Sequence, residues 1–476
     1  MTAFISPQAA IGLLLVLSSL FVGMGYYYSR RMEKTTDDYL FAGRNVGLAL
    51  STAALLASWI TGNSMMSAPE QGYTIGLAAL IGYTTCGLGL VFFAPLAIRV
   101  KKLMPNGLTV GDFFRLRYGR NAWYLFLVLQ VYYFFGFLMT QAMGGGLLIQ
   151  ALSGLDYKVG MIAIMTVVTL YTLQGGMRAV VTTDFIQCLL ILFLLLLTGG
   201  LAYAKLGFGN VYKGVMAIEP SRMNLLAWAG IMAGFSNLIF SLGEIFAGNI
   251  WWQRLYATNE KIMKRSYVIA GFTWMMVPLV SGSMALVSIA MKLNIPQVNM
   301  VFPILASTVL GTAGSVLVFV VIFCALASTL SALLTSSANL IAQDVYKNIF
   351  NPKATDLHVY KAAKILIVVL AVVTMALVWE PRTTMYKLLM LTGPSVSSMV
   401  WPIMYGLYRK DANSTAAIAA MLVGMLAGLY GYFNISPFSA PICSITASAL
   451  ITWLGATFAP DRNFRWSYLN MPRVNN

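Results

Sequence analysis

The residues best suited to chemistry in this chain are oxygens set among apolar neighbours. The stretch CALASTLSALLTSS, residues 324 to 337, carries Ser328, Thr329, Ser331, Thr335, Ser336 and Ser337 inside a long apolar run. Wound as a helix, it puts Ala325, Ser328, Thr329, Ala332 and Ser336 on one stripe of small residues. The neighbouring hydroxyls of Ser328 and Thr329, with the accessible carbonyl of Ala325, offer neutral oxygens. A hard monovalent cation such as sodium prefers such donors, and a neutral cage can release it again. The same stripe also suits plain helix packing, its hydroxyls bonding back to carbonyls one turn earlier. Spacing alone leaves both readings open.

Two carboxylates occupy costly positions. Asp184, in VVTTDFIQ, stands where an apolar helix begins, either as an interfacial cap or facing a partner or a water-filled path. Glu244, in FSLGEIFAGNIWWQR, lies well inside its apolar segment, near Ser241, Gly243, Gly248 and Asn249. Its roles there are counter-ion to a cationic solute, proton carrier, or partner to a basic residue. Trp59, followed by Ile60, Thr61 and Ser64, presents either a packing ring or an aromatic face for an amine or quaternary ammonium, with Glu244 opposite. No nucleophile–base pair accompanies these groups. The single histidine, His358, and the four cysteines, Cys86, Cys188, Cys324 and Cys443, show no catalytic, metal or disulfide pattern, so no enzyme is expected.

The elements that must position these residues are membrane helices. The chain has 476 residues, 59% hydrophobic and only 10% charged, with repeated apolar runs of about 20 residues, each long enough to span a bilayer. The expected helices are 8–28, 46–71, 74–98, 121–152, 158–174, 182–204, 228–252, 266–291, 309–343, 361–379, 384–407, 413–433 and 438–458, about thirteen in an all-α polytopic protein. The first run lacks a basic start and a cleavage site, so it reads as a retained helix. Roughly 24 of the 31 basic residues, among them Arg30, Arg31, Lys34, Lys101, Arg254 and Arg473, then fall on one side, which places the amino terminus outside and the carboxyl terminus in the cytoplasm. The expected location is the plasma (inner) membrane. The +16 net charge is spread over many short loops, which argues against a nucleic-acid partner and for the bilayer itself.

No linker divides the chain, so 1–476 reads as a single membrane transport domain. Within it, 53–72 and 240–254 are interrupted by Gly and polar residues at corresponding places in two halves, the pattern of an inverted-repeat transporter. One repeat is expected at 46–205 and the other at 228–407, with an extra helix at 8–28, two more at 413–458 and a tail at 459–476.

Five motifs in register carry a resemblance: DDYLFAGR (37–44), LTVGDFFRLRYG (108–119), YTLQGGMRAVVTTDFIQ (171–187), WWQRLYATNEK (251–261) and CALASTLSALLTSSANLIAQDVYKNIF (324–350). Together they resemble the sodium/solute symporter family over nearly the whole chain. The resemblance implies a five-plus-five inverted repeat of the LeuT type, thirteen helices and sodium as coupling ion. It places a sodium site at the carbonyls of Ala57 and Ile60 and at Ala325, Ser328 and Thr329. Asp184 and Ser331 are similar to two members of a second sodium site found in some relatives, but Ala332 stands where a further hydroxyl is expected, so one ion is expected. The substrate positions fall on Thr61, Ser64, Ser241 and Glu244, and on Phe137 with Thr140 and Gln141 nearby, where carboxylate-binding relatives carry arginine. ASWITG, with Trp59, resembles an element of the choline carriers. The implied activity is sodium-coupled import of a small polar, nitrogen-bearing or cationic solute by alternating access. The alternatives are a proton-coupled carrier using Glu244 and a non-transporting solute sensor.

Overall fold

In lipid, a backbone must satisfy its own polar groups, and a single-chain apolar segment does so as a helix. The computed structural model of the protein, which describes residues 4–32, 42–173 and 177–470, is accordingly almost entirely helical. Asp37 to Phe41, Gln174 to Gly176, Lys34, Arg473 and the side chains of Arg30 and Arg31 lie outside what is described.

The helices run α1 (Pro7–Met32), α2 (Leu48–Trp59), α3 (Gly62–Thr74), α4 (Leu77–Thr84), α5 (Gly87–Leu103), α6 (Val110–Tyr118), α7 (Arg120–Ser153), α8 (Tyr157–Thr172), α9 (Met177–Leu206) and α10 (Phe208–Ile218). They continue as α11 (Trp228–Ala247), α12 (Asn249–Ala257), α13 (Met263–Ala290), α14 (Val301–Leu340), α15 (Asp356–Leu377), α16 (Met385–Ser397), α17 (Val400–Tyr408), α18 (Ser414–Asn434) and α19 (Ser439–Phe458). Among the described residues, ten helical stretches are long and apolar enough to cross a membrane, and Leu48–Trp59 and Tyr157–Thr172 are shorter apolar helices.

Several expected helices are divided, each for a local reason. Segment 46–71 is two helices, α2 and α3, because Thr61 and Ser64 form a capping box that starts a new helix at Gly62. Segment 228–252 stops at Ala247 and restarts at Asn249, with Gly248 extended between them. Segment 384–407 divides into α16 and α17 after Pro394, which has no N–H to bond the preceding turn. The helix expected from 309 starts earlier, at Val301, and bends at Gly311, whose φ of 65° lies in the left-handed region. Its last residues pass into a wider π-helical turn, Ile341–Phe350.

Packing gathers the broken helices at the centre. α14 lies against α3, α7, α9 and α13, while α2 packs on α9 and α13. The approach is close: a Cβ on Gly62 would sit 2.4 Å from a methyl of Leu326 on α14, so a larger residue there would have to push that side chain aside. At the opposite end of α2, Val46 forms a short parallel bridge with Thr258, its N–H donating to Ala257 O at 3.0 Å and its carbonyl accepting from Asn259 N at 3.2 Å.

Candidate functional site

The break between α2 and α3 creates the first site by redirecting two backbone donors. In an unbroken helix the N–H of residue 61 would bond the carbonyl of Ala57, and that of residue 64 would bond Ile60. Here Thr61 N donates to Ser64 Oγ at 2.9 Å, and Ser64 N donates to Thr61 Oγ1 at 3.2 Å. The carbonyls of Ala57 and Ile60 are therefore left over in a buried place. Two hydroxyls on α14 meet them: Ser328 Oγ donates to Ala57 O at 2.9 Å, and Thr329 Oγ1 to Ile60 O at 3.2 Å. Ser328 Oγ also lies 3.3 Å from Ala325 O. Neutral oxygens of Ala57, Ile60, Ala325, Ser328 and Thr329 thus meet in two buried hydrogen-bonded groups where α2 faces α14, Ser328 with Ala57 and Ala325, and Thr329 with Ile60. The hydroxyl protons satisfy the carbonyls here, and a hydroxyl turned away presents a lone pair instead.

Asp184 and Ser331 are arranged differently. Asp184 Oδ2 accepts from the Arg254 guanidinium at 2.7 Å, with both side chains buried. Arg254 also donates to Ser58 Oγ and, at 3.2 Å, to Ala54 O on α2. Ser331 Oγ donates within its own helix to Ser328 O at 2.9 Å, and no hydrogen bond joins it to Asp184.

Beside the first site lies a narrow, partly open cavity with a volume of about 20 Å³, room for about one water. Trp59, Thr61 and Phe137 line it. The other substrate positions from sequence are elsewhere. Ser64 completes the capping box, and Gln141 Oε1 accepts from Gly62 N at 2.8 Å, satisfying one of the free donors at the start of α3. Ser241 Oγ donates to Leu238 O at 2.8 Å within α11. Glu244 is fully buried but does not line the cavity: Tyr133 OH donates to Oε1 at 2.8 Å and Trp251 Nε1 to Oε2 at 2.7 Å.

Sequence reasoning missed most of the lining. Asn63, Tyr83 and Cys86 come from α3 to α5, Asn237 and Phe240 from α11, Trp274 from α13, and Leu389 and Met390 from α16. One signal was present: Asn237 and Phe240 precede Ser241 and Glu244 at helical spacing, so the same face was already under suspicion. Trp274 gave no such signal. Its ring packs 5.7 Å from Trp59 and 6.4 Å from Tyr83, centroid to centroid, across helices distant in sequence.

Buried polar clusters join distant helices. In one, Asp344 accepts from Thr109 Oγ1 at 2.7 Å and Trp123 Nε1 at 2.8 Å, while Asn249 bridges Val110 N and Ser336 O. In another, Asn299 Nδ2 donates to Glu70 Oε2 at 2.6 Å, and Tyr386 OH to Asn237 Oδ1 at 3.0 Å.

Two interrupted helices packed at the centre of an almost entirely helical membrane bundle are the arrangement of the LeuT-like transporter fold. A solved Na+-coupled sialic acid symporter, in a substrate-bound outward-open state, shares this fold with a TM-score of 0.81, at 19% identity over 97% of this chain and 100% of that one. The model of the sodium:solute symporter family matches residues 39–424, and the chain belongs to that family. It is a multi-pass membrane protein and a solute symporter. It is 26% identical to the urea active transporter of Saccharomyces cerevisiae over 461 residues, covering 88% of this chain but only 62% of that protein. It is also 26% identical to the osmoregulated proline transporter OpuE of Bacillus subtilis over 436 residues, 87% of each chain.

Proposed function

We propose that the protein is a sodium-coupled symporter that imports a small polar, nitrogen-bearing solute across the plasma membrane by alternating access, one sodium ion per cycle. The observation that carries this reading is the meeting of the Ala57 and Ile60 carbonyls with Ala325, Ser328 and Thr329. A cation held there bridges the first broken helix to α14 and so links the proposed repeats, 46–205 and 228–407. Binding from outside would favour the form with a completed solute cavity, and the membrane potential adds about 2.3 kcal/mol per charge per 100 mV to inward release. The Arg254 guanidinium beside Asp184 supports a single ion, because it already supplies that carboxylate with a positive charge. The relatives named for urea and proline support a nitrogen-bearing solute. The basic loops support an outside amino terminus and a cytoplasmic carboxyl terminus.

A second reading couples transport to protons through Glu244, which is buried with two neutral donors and no basic partner among its hydrogen bonds. Uptake of labelled solute into proteoliposomes, driven separately by a sodium gradient and by a pH gradient, tests both. Sodium-driven uptake that Ser328→Ala and Thr329→Ala suppress is the expected result. Uptake indifferent to sodium and to both substitutions, but following pH and lost in Glu244→Gln, selects the proton reading.

A further inference from the structure

The geometry points to Asn237 as the residue that sets which solute the cavity accepts, through an unspent N–H of its side-chain amide. This assignment rests on the transport reading above and names the chemistry of its solute. Asn237 is 1% exposed and lines the cavity from α11. Its Oδ1 accepts the Tyr386 hydroxyl at 3.0 Å, whereas its Nδ2 has no hydrogen-bond partner. A buried donor without a partner bears the full desolvation of its polar group, and a ligand oxygen placed against it recovers that loss.

The rest of the lining narrows the choice. The indole N–H groups are already used, Trp59 Nε1 on Cys86 O at 3.2 Å and Trp274 Nε1 on Trp59 O at 2.5 Å. Asn63 Nδ2 is used as well, on Thr140 Oγ1 at 3.0 Å. The two indoles therefore present ring faces and spend their N–H groups elsewhere, and Asn237 Nδ2 is the lining amide nitrogen without a partner, beside the hydroxyls of Tyr83 and Thr61. Among the described residues no charged side chain lines the cavity, and Glu244, two turns along the same helix, is held away by Tyr133 and Trp251. An anion or a cation bound here would lack a protein counter-charge. A sugar would bury several hydroxyl donors with too few acceptors to meet them. The class that fits is compact and of zero net charge. It carries a carbonyl or carboxylate oxygen at one end for Asn237 and a nitrogen-bearing body that lies against Trp59, Tyr83 and Trp274. Amides and zwitterionic amino acids have this form.

The test compares wild type, Asn237→Ala and Asn237→Asp, reconstituted as the full chain. Uptake and solute-induced thermal stabilisation are measured with urea, L-proline, choline, lactate and glucose, and sodium activation is followed in parallel. Wild type should prefer urea or proline. Both variants should raise KM for that solute about tenfold, the scale of one buried hydrogen bond, with maximal rate and half-activating sodium within about twofold of wild type. Asn237→Asp keeps the acceptor for Tyr386 and adds a carboxylate beside aromatic faces, so choline should gain relative to the neutral solute; misfolding cannot produce that gain. A wild-type preference for choline, lactate or glucose, no response to either neutral solute, or unchanged KM in both variants overturns the assignment. Failure of the transport reading looks different. Uptake or binding would then be indifferent to sodium while stabilisation by the neutral solute still weakens in the Asn237 variants.

Discussion

The Ala57–Thr329 cluster and the Asp184–Arg254 pair both join α2 to a distant helix, both are buried, and they are built from opposite materials. The first uses only neutral oxygens, which are satisfied by one another when alone and which can turn toward an ion. The second uses full charges, fixed to each other at 2.7 Å and to Ala54 and Ser58 as well. A neutral cage can lose its guest without leaving a buried charge behind, whereas a charge pair cannot lose a member so cheaply. The first arrangement suits a reversible ion site; the second suits a permanent tie. That Asp184 and Ser331 resemble half of an ion site in sequence, yet Asp184 is paired with arginine in space, follows from a residue 70 positions away.

Substitutions should separate the two clusters. The largest effect belongs to Arg254→Ala, which leaves Asp184 buried and alone; a loss of about 3–5 kcal/mol is expected, seen as poor yield and a lowered melting temperature of the detergent-solubilised protein. The combined Asp184→Asn and Arg254→Gln change should recover part of that loss, and a double-mutant cycle that shows simple additivity would refute the pairing. Next, Ser328→Ala or Thr329→Ala should raise the half-activating sodium concentration on the order of tenfold, with little change in melting temperature without sodium. Ser64→Ala should act in the same direction by several-fold, on the scale of a lost capping bond, although Ser64 makes no contact with the proposed ion. It removes the acceptor for Thr61 N and returns that donor toward Ala57 O. A larger effect on solute KM than on sodium would instead make Ser64 a solute contact. The smallest effect is reserved for Ser331→Ala: sodium activation should keep its midpoint and steepness, and a fall in steepness would reveal a second ion.

Much of the architecture was readable from residues alone. Apolar runs gave the membrane helices, and polar or Gly interruptions marked the two breaks, because a helix in lipid shows its faults in composition. Ala325, Ser328 and Thr329 could be named because they share a helical stripe, a local feature, whereas Ala57 and Ile60 were placed only by the family resemblance. What local pattern does not carry is which side chain is consumed by another. Glu244 looked available for a solute until Tyr133 and Trp251, 111 and 7 residues away, took its oxygens. Asn237 looked ordinary until only one end of its amide found a partner. Cavity lining by Tyr83, Trp274 and Met390 likewise depends on helix docking, which no single segment encodes. The division of 384–407 had a visible cause in Pro394, whereas the early start at Val301 depends on a bend at Gly311 that hydropathy passes over.

The short bridge between Val46 and Thr258 has a mechanical consequence. It ties the residue just before α2 to the residue just after α12 through two backbone hydrogen bonds, and these two half-helices belong to the two interrupted segments. Neither can swing away on this face without dragging the other or breaking that link. The bridged ends of the two half-helices thus behave as one yoked lever, joined by main-chain bonds that a proline at position 46 or 259 would cut.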